Sequence, residues 1–271
     1  MPLSVVYPIG GLTQSAMVQA QRTFEKAAQS IATGIIADLN PADRYVASGL
    51  DSSIRSAQQA IENAQSGYNF TMTADSALAS VSENLQRIRE LSIQASNGIY
   101  SDKQVSAMQA EIDQNINQIR QTLGSATFNG KQTINAVTPD NPNAAPVVDF
   151  MVGESSTSII SYDPNIVLGD MNFDVSTPEA ASQTIAQVDE MLGDIGSKRG
   201  EIGALQTSFE GAINQQSSNI LSQSSSLSGI QDTDYLSAIM DLKKSQFTME
   251  ALVKVMKTQM NAERYVLDLL K

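Results

Sequence analysis

The chain has 271 residues, of which 41% are hydrophobic but only 5% aromatic, and it contains no Trp, Cys or His. Without His or Cys it lacks the side chains that most often transfer protons near neutral pH, act as thiolate nucleophiles or bind zinc. With 17 basic and 29 acidic residues, its formal net charge of −12 disfavours binding to nucleic acid. We therefore expect no enzyme activity, no catalytic residue, no cofactor, no metal and no nucleic-acid partner.

The start of the chain does not have the pattern of a secretory signal peptide. Residues 1–11 carry no Lys or Arg, and Pro8 interrupts their short apolar run, whereas a signal peptide begins with positive charge and continues with a longer apolar segment. No stretch approaches the roughly 18 apolar residues that span a membrane. If the protein leaves the cell, we expect a route without a cleaved signal peptide, and we expect no membrane insertion.

The first predicted helix covers about residues 14–33. Its apolar residues alternate spacings of three and four, which places them on one narrow stripe and indicates a coiled-coil seam. The stripe consists of Met17, Ala20, Phe24, Ala27 and Ile31. Gly34 breaks the pattern, and Asn40-Pro41 indicates a turn that leads into the next helix.

The next segment predicts two helices joined by a short turn. Residues 51–97 have a helical pattern with one interruption near Gly67, and Asn97-Gly98 suits a helix C-cap because both residues tolerate the left-handed conformation. Ser101 can then cap a returning helix whose apolar residues repeat the same spacing. Residues 76–124 are therefore predicted to form an antiparallel helical hairpin.

The middle of the chain has a different composition. Between residues 127 and 178, Asn, Pro, Gly, Asp and Thr cluster around short apolar runs at 146–152, 157–162 and 165–168. Such runs bounded by turn residues predict two or three short strands or hairpins. A helical pattern resumes at Pro178 and continues to Ile230.

The last segment, residues 233–271, has two apolar stripes on different faces. The first consists of Ile239, Leu242, Gln246, Met249, Val253, Met256, Met260, Leu267 and Leu270, and the second of Leu236, Met240, Phe247, Ala251, Val255, Ala262, Val266 and Leu269. One partner helix cannot cover both faces. Such a helix lies in the middle of a bundle or remains exposed until the protein assembles.

These elements predict a mainly α fold, an elongated antiparallel helical bundle or coiled coil with paired N- and C-termini and a small β-hairpin region in mid-chain. The best seams lie at the two ends, so the paired termini would present uncovered apolar faces to neighbouring copies. The predicted interface residues at the core of such an assembly are Met17, Phe24, Ile31, Ile239, Leu242, Met249, Val253, Met256, Met260 and Leu267.

Several motifs resemble those of bacterial flagellins, and they occur in the same order along the chain. They lie at residues 30–34 (SIATG), 85–95 (LQRIRELSIQA), 127–130 (TFNG), 198–206 (KRGEIGALQ), 230–234 (IQDTD) and 266–270 (VLDLL). The segment Phe150–Glu154 is also similar to a hairpin segment of the family. On these residues the chain resembles a short flagellin.

The resemblance implies a structural subunit that self-assembles into the extracellular bacterial flagellar filament for motility. Residues 1–43 and 232–271 would form the terminal inner core, residues 44–231 a rod domain with β-hairpins at about 130–178, and large outer domains would be absent. The implied partners are copies of the chain itself, an export chaperone on the C-terminal helix, cap and hook-junction proteins, and the animal innate flagellin receptor.

Two segments depart from the flagellin pattern. Residues 1–11 contain Pro2, Pro8 and Gly10-Gly11, and residues 35–49 (IIADLNPADRYVASG) carry Asn-Pro in place of the usual start of this loop. The Asn-Pro loop is closer to hook-filament junction proteins. A junction protein or a secreted flagellin-like protein is therefore the alternative function.

Three further residues match a surface that the animal receptor reads in the family, namely Arg87, Leu91 and Glu111. They are a candidate face for that receptor and for axial contacts between subunits. From the residues alone, pairing along the polar face of the helix explains Arg87, Arg89 and Glu90 equally well. The motif Asp232-Thr233-Asp234 lacks the further ligands that calcium needs and is better explained as a helix cap.

Overall fold

The computed structural model describes the backbone of residues 7–139 and 141–269 and the side chains of residues 11–139 and 141–261. Within this part the helices are α1 (Tyr7–Thr33), α2 (Pro41–Ala95), α3 (Asp102–Ser125), α4 (Pro178–Gln231) and α5 (Tyr235–Leu269). The strands are β1 (Thr127–Phe128), β2 (Lys131–Gln132), β3 (Asn135–Val137), β4 (Val148–Met151), β5 (Ile159–Tyr162) and β6 (Asn165–Val167). The predicted mainly helical bundle with a small β region is confirmed.

The chain divides into two compact units. The terminal unit comprises Met1–Ser52 and Ser222–Lys271, and the central unit comprises Ser53–Leu221. Both boundaries fall inside long helices, since Ser52 and Ser53 belong to α2 while Leu221 and Ser222 belong to α4.

The core of the central unit is built where α2, α3 and α4 pack together. Its fully buried residues follow the predicted spacing and include Leu78, Val81, Leu85, Ile88, Ile112, Ile119, Val188, Ile195 and Ile202. Ion pairs give the helix directions: Arg89 of α2 contacts Asp189 of α4, whereas Asp75 contacts Arg199. Residues earlier in α2 thus meet residues later in α4, so these two helices run antiparallel.

Gly67 does not interrupt α2, which continues from Pro41 to Ala95. The predicted break is therefore wrong, and the glycine has a packing role instead. A Cβ atom at Gly67 would lie 2.5 Å from both Cε1 and Cζ of Phe209 and 3.1 Å from Cδ1 of Phe150. Only a residue without a side chain lets the aromatic ring of α4 approach the α2 backbone so closely.

The three predicted strand segments correspond to β4, β5 and β6. Strands β4 and β5 form an antiparallel pair in which Phe150 lies opposite Ile160. Strand β6 pairs in parallel with β3, which the sequence did not predict, and β1 and β2 form a further hairpin. Asn129 and Gly130 turn that hairpin with φ angles of 49° and 77°, as a two-residue turn with positive φ at both positions requires.

Aromatic rings attach the β region to the helices of the central unit. Phe70 of α2 makes edge contacts with Phe128, Phe150 and Tyr162, at ring-centroid distances of 5.6–6.0 Å. Tyr162 is fully buried, and its hydroxyl donates to the carbonyl of Thr133 at 2.8 Å. Burial raises the pKa of the Tyr162 phenol well above its ordinary value.

A nearly buried lysine completes this contact. Lys198 of α4 is only 9% exposed, and its ammonium group lies 5.5 Å from the centroid of the Tyr162 ring. The same ammonium group donates to Glu201 at 2.9 Å. The ring face and the carboxylate together compensate the lysine for its lost hydration.

Two linkers connect the helices of the terminal unit. Gly34 ends α1 in the left-handed conformation, with φ of 73°. Beyond it, Ile36 N–H donates to Gln231 and Thr233 N–H donates to Gly34, so the linker after α1 pairs with the linker before α5. Helices α1 and α5 therefore leave the same point and run antiparallel along each other.

The Asn-Pro pair is the start of α2. Asn40 Oδ1 accepts the N–H of Asp43 at 2.8 Å, which is the contact of an N-cap residue. Pro41 is the first helical residue, where its missing N–H costs nothing. Local capping chemistry thus accounts for both residues of the departure from the flagellin pattern.

Candidate interaction surfaces

The seam between α1 and α5 is lined by small side chains. Ala20, Ala27 and Ser30 of α1 are buried, as are Ala238 and Ser245 of α5. Each is at most 8% exposed, whereas the larger apolar residues beside them are only half buried. The two helices thus approach closely along small residues.

The predicted interface residues fall into three groups. Met17, Phe24, Ile31, Leu242, Met249 and Met256 are half-buried beside the seam. Ile239, Val253 and Met260 are 46%, 48% and 60% exposed. Leu267 lies outside the residues whose side chains the structure describes. The first predicted stripe of α5 is therefore divided between the seam and the free surface.

The seam of α5 follows a different register from the one predicted. Its positions are Ala238, Leu242, Ser245, Met249, Leu252 and Met256. The predicted stripes overlooked Ala238 and Ser245, because alanine and serine carry little hydrophobic signal, and they also omitted Leu252. Ala238 and Ser245 face α1 because their small size lets the two backbones approach.

The second predicted stripe of α5 is exposed over its described part, whereas Ala262, Val266 and Leu269 lie outside the residues whose side chains the structure describes. Leu236, Met240, Phe247 and Val255 are 68%, 58%, 74% and 44% exposed. Together with the exposed members of the first stripe they leave large apolar side chains along most of the described length of this helix. Many exposed large apolar side chains on one helix are typical of an interaction site.

The predicted cap at the start of α5 is present. Asp234 Oδ1 accepts the N–H of Leu236 at 3.0 Å and that of Ser237 at 3.4 Å. Asp232 instead bonds to the hydroxyl of Ser228 at the end of α4. The two aspartates of this motif thus serve two different helix ends.

In the central unit, Arg87 joins α2 to α3. Its Nε donates to Glu111 at 2.8 Å, and its Nη1 donates to Glu90 at 3.1 Å. The hydrogen bond to Glu111 is the main reason why the pKa of Arg87 lies above its usual value, followed by the bond to Glu90. All three side chains are 44–67% exposed, so they form a solvent-facing charged cluster.

Leu91 does not share this exposed face. It is only 3% exposed and belongs to the core of the central unit. The flagellin resemblance implied a common face with Arg87, but the core occupies the side of α2 on which Leu91 lies. The exposed part of the candidate face therefore consists of Arg87 and Glu111.

Two ion pairs that the sequence did not predict join α2 to α4. Arg89 donates to Asp189 at 2.6 Å, and Arg199 donates to Asp75 at 2.7 Å. The pKa of each arginine is raised chiefly by the hydrogen bond to its aspartate. Helical spacing gave no signal for these pairs, because each joins residues at least 100 positions apart.

Across the described ranges, no three His, Cys, Asp or Glu side chains lie close enough together to hold a metal ion. None of the described helices combines the length and the apolar character of a membrane-spanning segment. Among the described helices, α5 exposes the largest number of large apolar side chains. Fold and surface together define a helical protein of the assembly-forming class.

Comparison with known proteins identifies the family. Residues 11–138 match the family described as the bacterial flagellin N-terminal helical region. The flagellar filament 30.7 kDa core protein of Treponema maltophilum is 30% identical over 236 residues, which cover 80% of this chain and 80% of that protein. The flagellar filament 33 kDa core protein of Treponema phagedenis is 26% identical over 270 residues, 94% of this chain and 93% of that protein. The chain belongs to the bacterial flagellin family.

Longer flagellins match only in part. The phase 1 flagellin of Salmonella naestved is 30% identical over 178 residues, which cover 63% of this chain but 34% of that protein. The Treponema proteins, by contrast, are matched along most of their length.

Proposed function

We propose that this chain is the structural subunit of a bacterial flagellar filament and polymerises through the apolar surface of its terminal unit. The observation that carries the proposal is the α5 surface, where Leu236, Met240 and Phe247 are each more than half exposed. In an isolated subunit these side chains remain in water, so they contribute no hydrophobic stabilisation. Contacts with neighbouring copies would remove them from solvent, and a contact between two different surfaces repeats into an open helical polymer.

The contribution of one such side chain can be estimated. Phe247 is 74% exposed, and full burial of a residue of its size stabilises a contact by about 1.5–3 kcal/mol. Phe247→Gln should therefore raise the critical concentration for polymerisation roughly tenfold to a hundredfold. The helical content of the monomer should not change, because the side chain makes little contact within its own chain.

Seeded polymerisation observed by negative-stain electron microscopy tests the proposal. The wild-type chain alone should form long filaments, which would also separate a filament subunit from a junction protein that does not extend. The matched control is Val167→Gln, which removes a 69% exposed apolar residue of β6 in the central unit. The proposal is refuted if wild-type protein forms no filaments, or if Phe247→Gln and Val167→Gln polymerise equally well.

The division of roles between the units is part of the same proposal. Residues 1–43 and 232–271 would form the filament core, and residues 44–231 would form the surrounding rod domain without large outer domains. The match covers 80% and 93% of the two Treponema proteins, which supports a short subunit. A radial density profile from electron cryomicroscopy, with density beyond the central unit, would contradict it.

The exposed apolar residues of α5 support the expected export chaperone. We infer that an export chaperone covers this helix before assembly and that the subunit leaves the cell without cleavage of a signal peptide. The mass of the subunit sheared from filaments should match the chain without loss of an N-terminal segment. A chaperone that still binds after deletion of residues 235–269 would refute the first part.

The cap protein, the hook-junction proteins and the animal innate flagellin receptor are further proposed partners. For the receptor, the exposed pair Arg87 and Glu111 supports a contact face, with Leu91 contributing through the core beneath it. Depolymerised protein should activate the receptor, and an Arg87→Ala, Glu111→Ala double variant should lose potency. Retention of wild-type potency by the double variant would refute this assignment.

A further inference from the structure

Methionine is the side chain of this protein that oxidants modify most easily. The chain contains 11 methionines and no Cys, so it lacks the thiolates that would otherwise react first with a peroxide. A thioether reacts when solvent brings the oxidant to its sulfur. The exposed fraction of each methionine therefore indicates which of them can be oxidised in the folded protein.

The methionines of the central unit range from buried to exposed. Met108, Met171 and Met191 are 8%, 8% and 3% exposed, and all three belong to the hydrophobic core. Met72 of α2 and Met151 of β4 are 53% and 48% exposed. The central unit thus contains both protected and accessible thioethers with which other methionines can be compared.

Helix α5 has methionines of two kinds. Met249 and Met256 are half-buried along the seam with α1. Met240 and Met260 are 58% and 60% exposed, which makes them at least as accessible as the exposed methionines of the central unit. The two exposed thioethers of α5 can therefore react with an oxidant while the subunit is free and folded.

Met240 belongs to the apolar surface through which we propose that the subunit polymerises. It lies about 200° around the helix from Ala238 of the seam, and it shares a face with Leu236 and Phe247. Met260 is the last exposed large apolar residue among the side chains that the structure describes. A neighbouring copy that covers this surface would bury both thioethers.

We propose that Met240 and Met260 form a redox-sensitive modification site, and that their oxidation to sulfoxide by hydrogen peroxide stops the free subunit from polymerising. The sulfur lone pair attacks one peroxide oxygen and the O–O bond breaks. The departing hydroxide takes the proton of the transferred OH group and leaves as water. Sulfur is oxidised by two electrons, and the peroxide is reduced by two. The inference rests on the proposed filament function and adds regulation of the same surface.

A sulfoxide opposes burial of this surface. Oxidation converts a flexible apolar side chain into a polar one whose S=O oxygen accepts hydrogen bonds from water. The side chains of Leu236 and Phe247 offer no N–H or O–H donor, so they cannot replace that water. The unpaired oxygen should raise the critical concentration for polymerisation roughly tenfold to a hundredfold.

Peroxide treatment before assembly tests the inference. Full-length monomer would be treated with hydrogen peroxide, freed of oxidant by catalase and seeded, and the critical concentration would be measured by sedimentation. The wild type should show the increase given above. A Met240→Leu, Met260→Leu double variant should keep its untreated value, because leucine has a similar volume and no sulfur. The matched control is Met72→Leu, Met151→Leu, which removes two similarly exposed thioethers of the central unit and should respond to peroxide as the wild type does.

Peptide mass spectrometry locates the modification and needs no substitution. In treated monomer, Met240 and Met260 should each gain one oxygen, whereas the buried Met108 and Met191 should not, which would show that the central unit remains folded. In filaments treated after assembly, the two methionines of α5 should react roughly tenfold more slowly than in monomer, because burial keeps the oxidant away. Methionine sulfoxide reductases for both epimers should restore polymerisation. Two thiols of added dithiothreitol then become a disulfide, and the oxygen leaves as water.

The outcomes distinguish the inference from the proposed function. An unchanged critical concentration of oxidised wild type would overturn the inference alone, provided that untreated protein forms filaments. Equal inhibition of the α5 double variant and the wild type would also overturn it, as would equally fast oxidation of Met240 in filaments and monomer. Absence of filaments from untreated wild type would instead refute the proposed function, and the inference with it.

Discussion

The contact between Gly67 and Phe209 gives the sharpest prediction about stability. At an ordinary helix position, Gly→Ala stabilises the helix by about 1 kcal/mol. At Gly67, however, the new Cβ would lie 2.5 Å from two atoms of the Phe209 ring. That ring is fully buried and makes an edge contact with Phe150 at 5.5 Å, so it has no free space to move into.

The two effects can be compared in magnitude. Overpacking of a filled core lowers the free energy of unfolding by about 1–3 kcal/mol. Because the Phe209 ring is enclosed, we expect a destabilisation towards the upper end of this range. The expected net result of Gly67→Ala is a loss of about 1–2 kcal/mol from the central unit. Gly211→Ala is the matched control, because Gly211 lies in α4 with nothing within 4 Å of the position that a Cβ would occupy, and it should gain about 0.5–1 kcal/mol.

Hydrogen exchange measures the central unit by itself, whereas a global unfolding curve would mix the two units. Core amides near Leu85 in α2 should exchange roughly five to thirty times faster in Gly67→Ala than in wild type. Phe209→Leu should relieve the clash, so its effect and that of Gly67→Ala should not be additive. Slower exchange in Gly67→Ala, with the same sign as in Gly211→Ala, would refute the packing argument.

Three further predictions concern other contacts. Tyr162→Phe removes the hydroxyl that donates to Thr133 at 2.8 Å, so hydrogen exchange of the core amides of the central unit should show a loss of about 1–2 kcal/mol; unchanged protection would contradict this. Burial raises the pKa of Tyr162 in the folded state, so the neutral phenol stabilises the fold. This stabilisation is complete below the unfolded-state pKa of about 10 and is lost as the pH rises towards the folded-state pKa. The alkaline loss, followed by circular dichroism, should therefore be smaller in the Phe variant. Gly34→Ala, at φ of 73°, should cost the terminal unit about 1–2 kcal/mol and accelerate hydrogen exchange there; equal protection would show that alanine fits this backbone. Arg199→Ala breaks the pair with Asp75 and should cost less than about 1 kcal/mol at low salt and still less at high salt, so a large, salt-independent loss would point to packing instead.

The sequence by itself determined most of the element boundaries. Gly34 ends α1, Asn40 and Pro41 begin α2, and Pro178 begins α4, as their local chemistry predicts. Capping and turn formation depend on residues only a few positions apart, so a sequence displays them directly. The core stripes of α2, α3 and α4 were also readable, because their apolar side chains are large and periodic.

Only the tertiary structure decided which positions meet across the fold. Small Ala238 and Ser245 line the seam of α5, while Ile239 and Val253 are nearly half exposed. Gly67 has the sequence signature of a helix break but receives a ring from a helix more than a hundred residues later. Close approach of two backbones depends on the absence of side-chain volume and on distant partners. Neither the missing side-chain volume nor the distant partner produces a local sequence pattern. The exposed surface of α5 could therefore be assigned only after the structure showed which of its residues face α1.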